Sequence, residues 1–218
     1  MFAKVATYDR WMGLCSRLVI PASMATDHYR WLDGKYNGPD RFLHAWDHID
    51  GLLTMLDENR GLATNFDLVE YAAMNHDSEM IFCRKPKGCP TDEALSAVAS
   101  DGLLIKAGKP FEMRAVSFGL NLATNHKEDS ARTTDEMLLA DCDWSGLGLP
   151  WEQYLANRDK VRREHPYLSD KEFHNARTIW VLKACRRRSH FYLPKFQKLY
   201  DARVQENLTR EVCEFRMV

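Results

Sequence analysis

Apolar residues recur at three- and four-residue spacing along several stretches of the chain. Over 44–57 (HAWDHIDGLLTMLD) Ala45, Ile49, Leu52 and Leu56 form one stripe, which predicts a helix. In 67–77 (DLVEYAAMNHD) Leu68, Val69, Ala72, Ala73 and His76 share a face, and over 112–126 Met113, Val116, Leu120 and Ala123 lead to His126. Helix starts are marked too. Thr133 followed by Glu136 reads as a capping box, and so does Ser169 followed by Glu172, before a helix running through Arg177 to Cys185. Pro150 suits the first turn of a helix beginning near Trp151, and Gly146 and Gly148 end the helix before it. The stretch 83–91 (CRKPKGCPT) is a loop. No long apolar–polar alternation and no internal repeat occurs. The pattern predicts a single all-α domain, a helical bundle of about eight to ten helices.

Composition sharpens this picture. Leu plus Ala number 44 against 15 for Ile plus Val, a bias toward helix. With 45% hydrophobic and 28% charged residues in 218, disorder is excluded. No apolar run approaches the roughly 18–20 residues that span a bilayer. The start, MFAKVATYDRW, meets charge before any long apolar stretch, so no secretory leader is expected. Six cysteines lie scattered without a C-x-x-C pair, which argues against a disulfide scaffold or a Cys-rich zinc site and for a reducing, cytoplasmic setting. The net charge of −1 hides an asymmetry: residues 1–150 carry −7 and residues 151–218 carry +6. Two solvated faces are the plain reading; an acidic metal-binding half facing cations that hold an anionic substrate is the sharper one.

Three short elements could carry that chemistry. His44 and His48, four apart, fall on one helix face beside the apolar stripe. Position 45 is Ala, so the H-E-x-x-H protease pattern is excluded. His76-Asp77 closes the apolar face of 67–77; a His–Asp bond stapling two helices is the simpler alternative. In Asp141-Cys142-Asp143, rotation from Ala140 to Leu147 sets Asp143 on the buried face, where a carboxylate needs a positive partner. Two imidazoles and two carboxylates make a mixed N/O set that suits a divalent metal ion (Mn, Fe, Co, Ni, Zn or Mg).

The order H…HD…D resembles that of the HD-domain metal phosphohydrolases. The resemblance is closest to a small bacterial and phage branch of predicted metal-dependent phosphohydrolases, and it runs from about residue 11 to 211. That branch's R-x-Y-H-N-x-x-H-I reads Arg41-Phe-Leu-His44-Ala-Trp-Asp-His48-Ile49 here, and its A-x-F-H-D reads Ala73-Met-Asn-His76-Asp77. Its N-E-x-x-S-A reads Asp92-Glu93-Ala-Leu-Ser96-Ala97, and its D-A-D-L-x-x-L-G reads Asp141-Cys-Asp143-Trp-Ser-Gly-Leu147-Gly148. Its A-T-x-x-H corresponds to Ala123-Thr124-Asn-His126, one residue shorter here, and its I-R-x-E-Y to Val161-Arg162-Arg-Glu164-His165. Leu43 and Ala45 replace the family's Tyr and Asn.

The resemblance implies an HD-type bundle whose His48, His76, Asp77 and Asp143 ligate metal while His44 gives a proton to the leaving oxygen. It places His126 near the site, on a second metal or a phosphate oxygen, with a core histidine as the alternative. Glu93 orients water or moves a proton, unless it merely complements a helix dipole. Arg162 and Arg177 are candidate phosphate grips, because a guanidinium pairs bidentately with phosphate. Arg186 to Arg188 read as solvated surface, and Trp11, Trp46 and Trp180 as core packing. The expected activity is hydrolysis of a small phosphorylated substrate, a nucleotide or related phosphoester, by a metal-activated water. Two other classes stay open: a di-iron HD-type oxygenase, and a non-catalytic nucleic-acid or nucleotide-binding protein. Nucleic acid is less favoured, because the pI is about 6.7 and no nucleic-acid motif is present. No membrane partner is expected.

Overall fold

The computed structural model describes residues 2–126 and 130–215. Among them are ten α-helices, two short 3-10 turns and no strand, the all-α bundle that the periodicity predicts. In chain order the helices are α1 (Phe2–Arg17), α2 (Ala22–Tyr36), α3 (Trp46–Glu58), α4 (Phe66–Asn75) and α5 (Asp92–Lys106). They continue as α6 (Phe111–Ala123), α7 (Thr134–Trp144), α8 (Trp151–Arg163), α9 (Asp170–Ala184) and α10 (Pro194–Phe215). The 3-10 turns are Arg60–Leu62 and Ser145–Gly148. No helix among the described residues is long and apolar enough to cross a membrane.

The bundle is organised by α4. Its sequence FDLVEYAAMN is apolar nearly all round, and a helix of that kind has no face to give to water. Every α4 residue except Asp67 is buried, and α1, α3, α5, α6 and α7 surround it. Ala72 and Ala73 leave room for close neighbours. The helix thus delivers the residue that caps its C-terminus, His76, into the interior. Trp11 and Trp46 are core residues, as expected; Trp11 stacks on Tyr71, and Trp46 on Tyr29.

The caps follow the sequence. Thr133 and Ser169 open α7 and α9 with complete capping boxes, and Pro150 is the residue just before α8. Gly148 ends the second 3-10 turn against α10, where a Cβ would lie 2.9 Å from the Tyr200 ring. The ends nearest the candidate chemistry differ from the pattern. His44 is not on the helix with His48: α3 begins at Trp46, because the backbone N–H groups of Phe42, Leu43 and His44 all donate to the Glu164 carboxylate. Likewise α6 stops at Ala123, and His126 lies beyond it with a φ of 54°.

Candidate metal centre

Three helices bring four side chains together beside one cleft of about 320 Å³. His48 comes from the first turn of α3, His76 caps α4, Asp77 follows it, and Asp143 lies near the end of α7. His76 Nδ1 stands 2.9 Å from the Ala73 carbonyl and must donate there, since a carbonyl only accepts. Its Nε2 is then aimed at carboxylates, 3.0 Å from Asp77 Oδ2 and 3.4 Å from Asp143 Oδ1. His48 Nε2 lies 2.9 Å from Asp143 Oδ1 and 3.5 Å from Asp77 Oδ2. Yet both Nε2 atoms are buried without a directed hydrogen bond.

Buried polar atoms left this way are uncommon and call for an explanation. One ligand atom each from His48, His76 and Asp143 lies within 4.8 Å of the others, so this cluster could hold a metal ion. Adjacent donors bound at about 2.1 Å around an ion sit roughly 3.0 Å apart in an octahedral and roughly 3.4 Å apart in a tetrahedral arrangement, and the separations of 2.9–3.5 Å cover that range. Asp77 stands at the edge of the trio, within reach of both imidazoles. The mixed imidazole–carboxylate donor set fits a divalent first-row ion.

Electrostatics make the same demand. Burial works against charge on His76, but the Asp77 and Asp143 carboxylates override it and hold its pKa well above 6.5. Burial would also raise Asp143, yet His76, His126 and His48 keep it well below its usual range, and His76, His44 and His48 likewise lower Asp77 against its burial. The centre of the cluster requires positive charge, from protons or from a cation.

Around it stand further groups. His126 Nε2 lies 2.6 Å from Asp143 Oδ2, so the Asp143 carboxylate faces the imidazole pair with one oxygen and His126 with the other. The His126 ring stacks on Trp144 at 4.4 Å, and its carbonyl accepts from Arg187. A positive φ at a non-glycine costs on the order of 1–3 kcal/mol, and these contacts offset it. His44 Nδ1 is 2.7 Å from Glu164 Oε2, and the ring sits at the cleft, 5.9 Å between centroids from His48. Burial lowers its pKa, but Asp77, Glu164 and Asp143 together push it up to about 8.

The sequence-derived candidates divide accordingly. His44, His48, His76, Asp77, His126 and Asp143 come together, and Glu93, in the first turn of α5, lines the same cleft. Arg177 is on the cleft wall, but its guanidinium is spent on the buried Glu211 carboxylate and the Tyr154 hydroxyl. Arg162 is not in the cleft. It bonds Asp170 at 2.7 Å and the His165 and Leu168 carbonyls, which corrects its reading as a phosphate grip. Asp141 is turned away as well, accepting from the Tyr192 and Leu193 N–H groups at the entry to α10; burial raises its pKa to about 7. Trp180, read as packing, lines the cleft with Trp144. Glu164 carried no assigned role in the sequence; only its place in the Val161–His165 motif marked it. No protein-family model, curated protein or solved structure matches the chain.

Proposed function

We propose that this chain is an HD-type metal-dependent phosphohydrolase acting on a small phosphoester. The observation that carries the reading is the pair of buried Nε2 atoms of His48 and His76, without a directed hydrogen bond and set among the Asp77 and Asp143 oxygens beside an open cleft. Those four residues would hold the ion, and a divalent ion so held supplies a Lewis acid and an activated water. His44, outside the trio, offers its cleft-side Nε2 as the proton donor to the leaving oxygen. Its carboxylate partner favours the charged imidazolium that such a donor must be. His126 stands where it can steady Asp143 or meet a phosphate oxygen. The indoles of Trp144 and Trp180 and the side chain of Leu43 give the cleft an apolar wall, which favours an organic ester such as a nucleotide over inorganic polyphosphate.

Metal analysis of the purified protein, followed by a nucleotide and phosphoester panel with each candidate ion, tests the reading. His76→Ala should lose bound metal and activity together. Full metal occupancy in that variant overturns the site, and no turnover of any ester by the loaded wild type overturns the reaction. Two irons per chain with oxygen-dependent turnover would move the assignment to the oxygenase class.

A further inference from the structure

The turn 41–45 is neither helix nor strand, yet it carries His44 to the cleft, and two remote residues hold it. Glu164, at the end of α8, is fully buried. A buried carboxylate without compensation is costly, and the compensation here comes from the turn itself. Its Oε1 accepts from the backbone N–H groups of Phe42, Leu43 and His44 at 2.8, 2.8 and 2.9 Å, while Oε2 faces His44 Nδ1 at 2.7 Å. Arg41 closes the turn from the other side. Its guanidinium donates to the carbonyls of His44, Asp77 and Ser78, so the turn is tied to the backbone that bears Asp77.

A carboxylate can only accept, so the proton shared with Glu164 belongs to His44 Nδ1, and Nε2 is left for the cleft. The three peptide N–H groups matter as much as the imidazole, because they orient the carboxylate and leave its second oxygen for the ring. We infer that Glu164 is a positioning residue for the cleft chemistry: it fixes the orientation and tautomer of His44 from a site 120 residues away, independently of the metal-binding trio. This rests on the proton-donor reading of His44 for its catalytic consequence, but its structural content stands apart from that reading.

Glu164→Gln separates the alternatives. The three N–H groups should keep the amide oxygen on the turn, which presents the NH₂ to His44 Nδ1 and forces that nitrogen to accept. Ring ¹⁵N NMR of the metal-free protein should therefore show His44 protonated at Nδ1 in wild type and protonated only at Nε2 in the variant. Wild-type His44 protonated at Nε2 alone would overturn the inference, whether or not the variant folds. With an active phosphoester, Glu164→Gln should keep wild-type metal content. It should lose up to about 10²-fold in kcat for an alkoxide leaving group, and much less for a nitrophenyl ester, which needs no proton. In a His44→Ala background the same change should cost less than about twofold, since its target is gone. An equal loss in both backgrounds would mean that Glu164 merely supports the fold, and would overturn it too. A protein inactive on every ester would sink the proposed function and leave the tautomer measurement to decide this one.

Discussion

Loading the cluster with a divalent ion should expel a proton. His76 donates through Nδ1 to the Ala73 carbonyl, so only Nε2 can ligate. That nitrogen must give up the proton that Asp77 and Asp143 stabilise on it in the metal-free chain. Burial opposes the charge, but those carboxylates raise the His76 pKa well above 6.5, so the metal-free imidazole is charged at neutral pH. Each ion bound then releases about one proton from His76. Affinity should climb about tenfold per pH unit, ~1.4 kcal/mol, while the pH stays below the raised pKa. Stability of the metal-free protein runs the other way. A histidine whose folded pKa is raised contributes stability that is fully present below the unfolded value near 6.5, and that contribution is lost as pH rises through the folded pKa. From pH 6 upward, therefore, the metal-free Tm should fall more steeply in wild type than in His76→Ala, while added ion protects wild type increasingly. Calorimetry in buffers of different ionisation enthalpy counts the proton, and thermal melts with chelator or with Mn²⁺ or Zn²⁺ read both slopes. A pH-independent affinity without proton release would refute His76 Nε2 as the ligating atom.

Asp141 and Asp143 should separate cleanly: Asp143→Asn should strip the ion, whereas Asp141→Asn, facing the N–H groups of Tyr192 and Leu193, should keep it, as elemental analysis of the two variants will show. Arg162→Ala should leave KM, kcat and metal content unchanged, because its guanidinium is engaged with Asp170 and two carbonyls outside the cleft. Its effect should be confined to stability, about 1 kcal/mol in a urea titration, since the ion pair is largely exposed.

The sequence carried the helices and the kinds of candidate ligand, but not the ends of the helices that hold them. Capping boxes are local, so Thr133 and Ser169 could be read directly. The start of α3 is set by Glu164, more than a hundred residues downstream, and no periodicity in 44–57 registers that pull. His44 and His48 are therefore neighbours in the cleft for a reason other than the helical spacing that first linked them. The two arginines read as phosphate grips are engaged within the protein for the same kind of reason. A guanidinium's partner is chosen by the tertiary fold, and Glu211 and Asp170 took Arg177 and Arg162. Trp180 reads as core by composition, yet it borders the cleft because α9 brings it beside Trp144.

What was legible and what was not follows a physical division within the site. His48, His76 and Asp143 are anchored by helices packed around α4, whose burial fixes them whatever occupies the cleft. His44 has no helix beneath it and depends on one buried carboxylate and one buried guanidinium. Regular elements declare themselves in a local pattern, whereas a turn held by remote charges does not. The same division makes the two halves separable by experiment: a change at Glu164 should act on proton delivery, and a change at His76 on the ion.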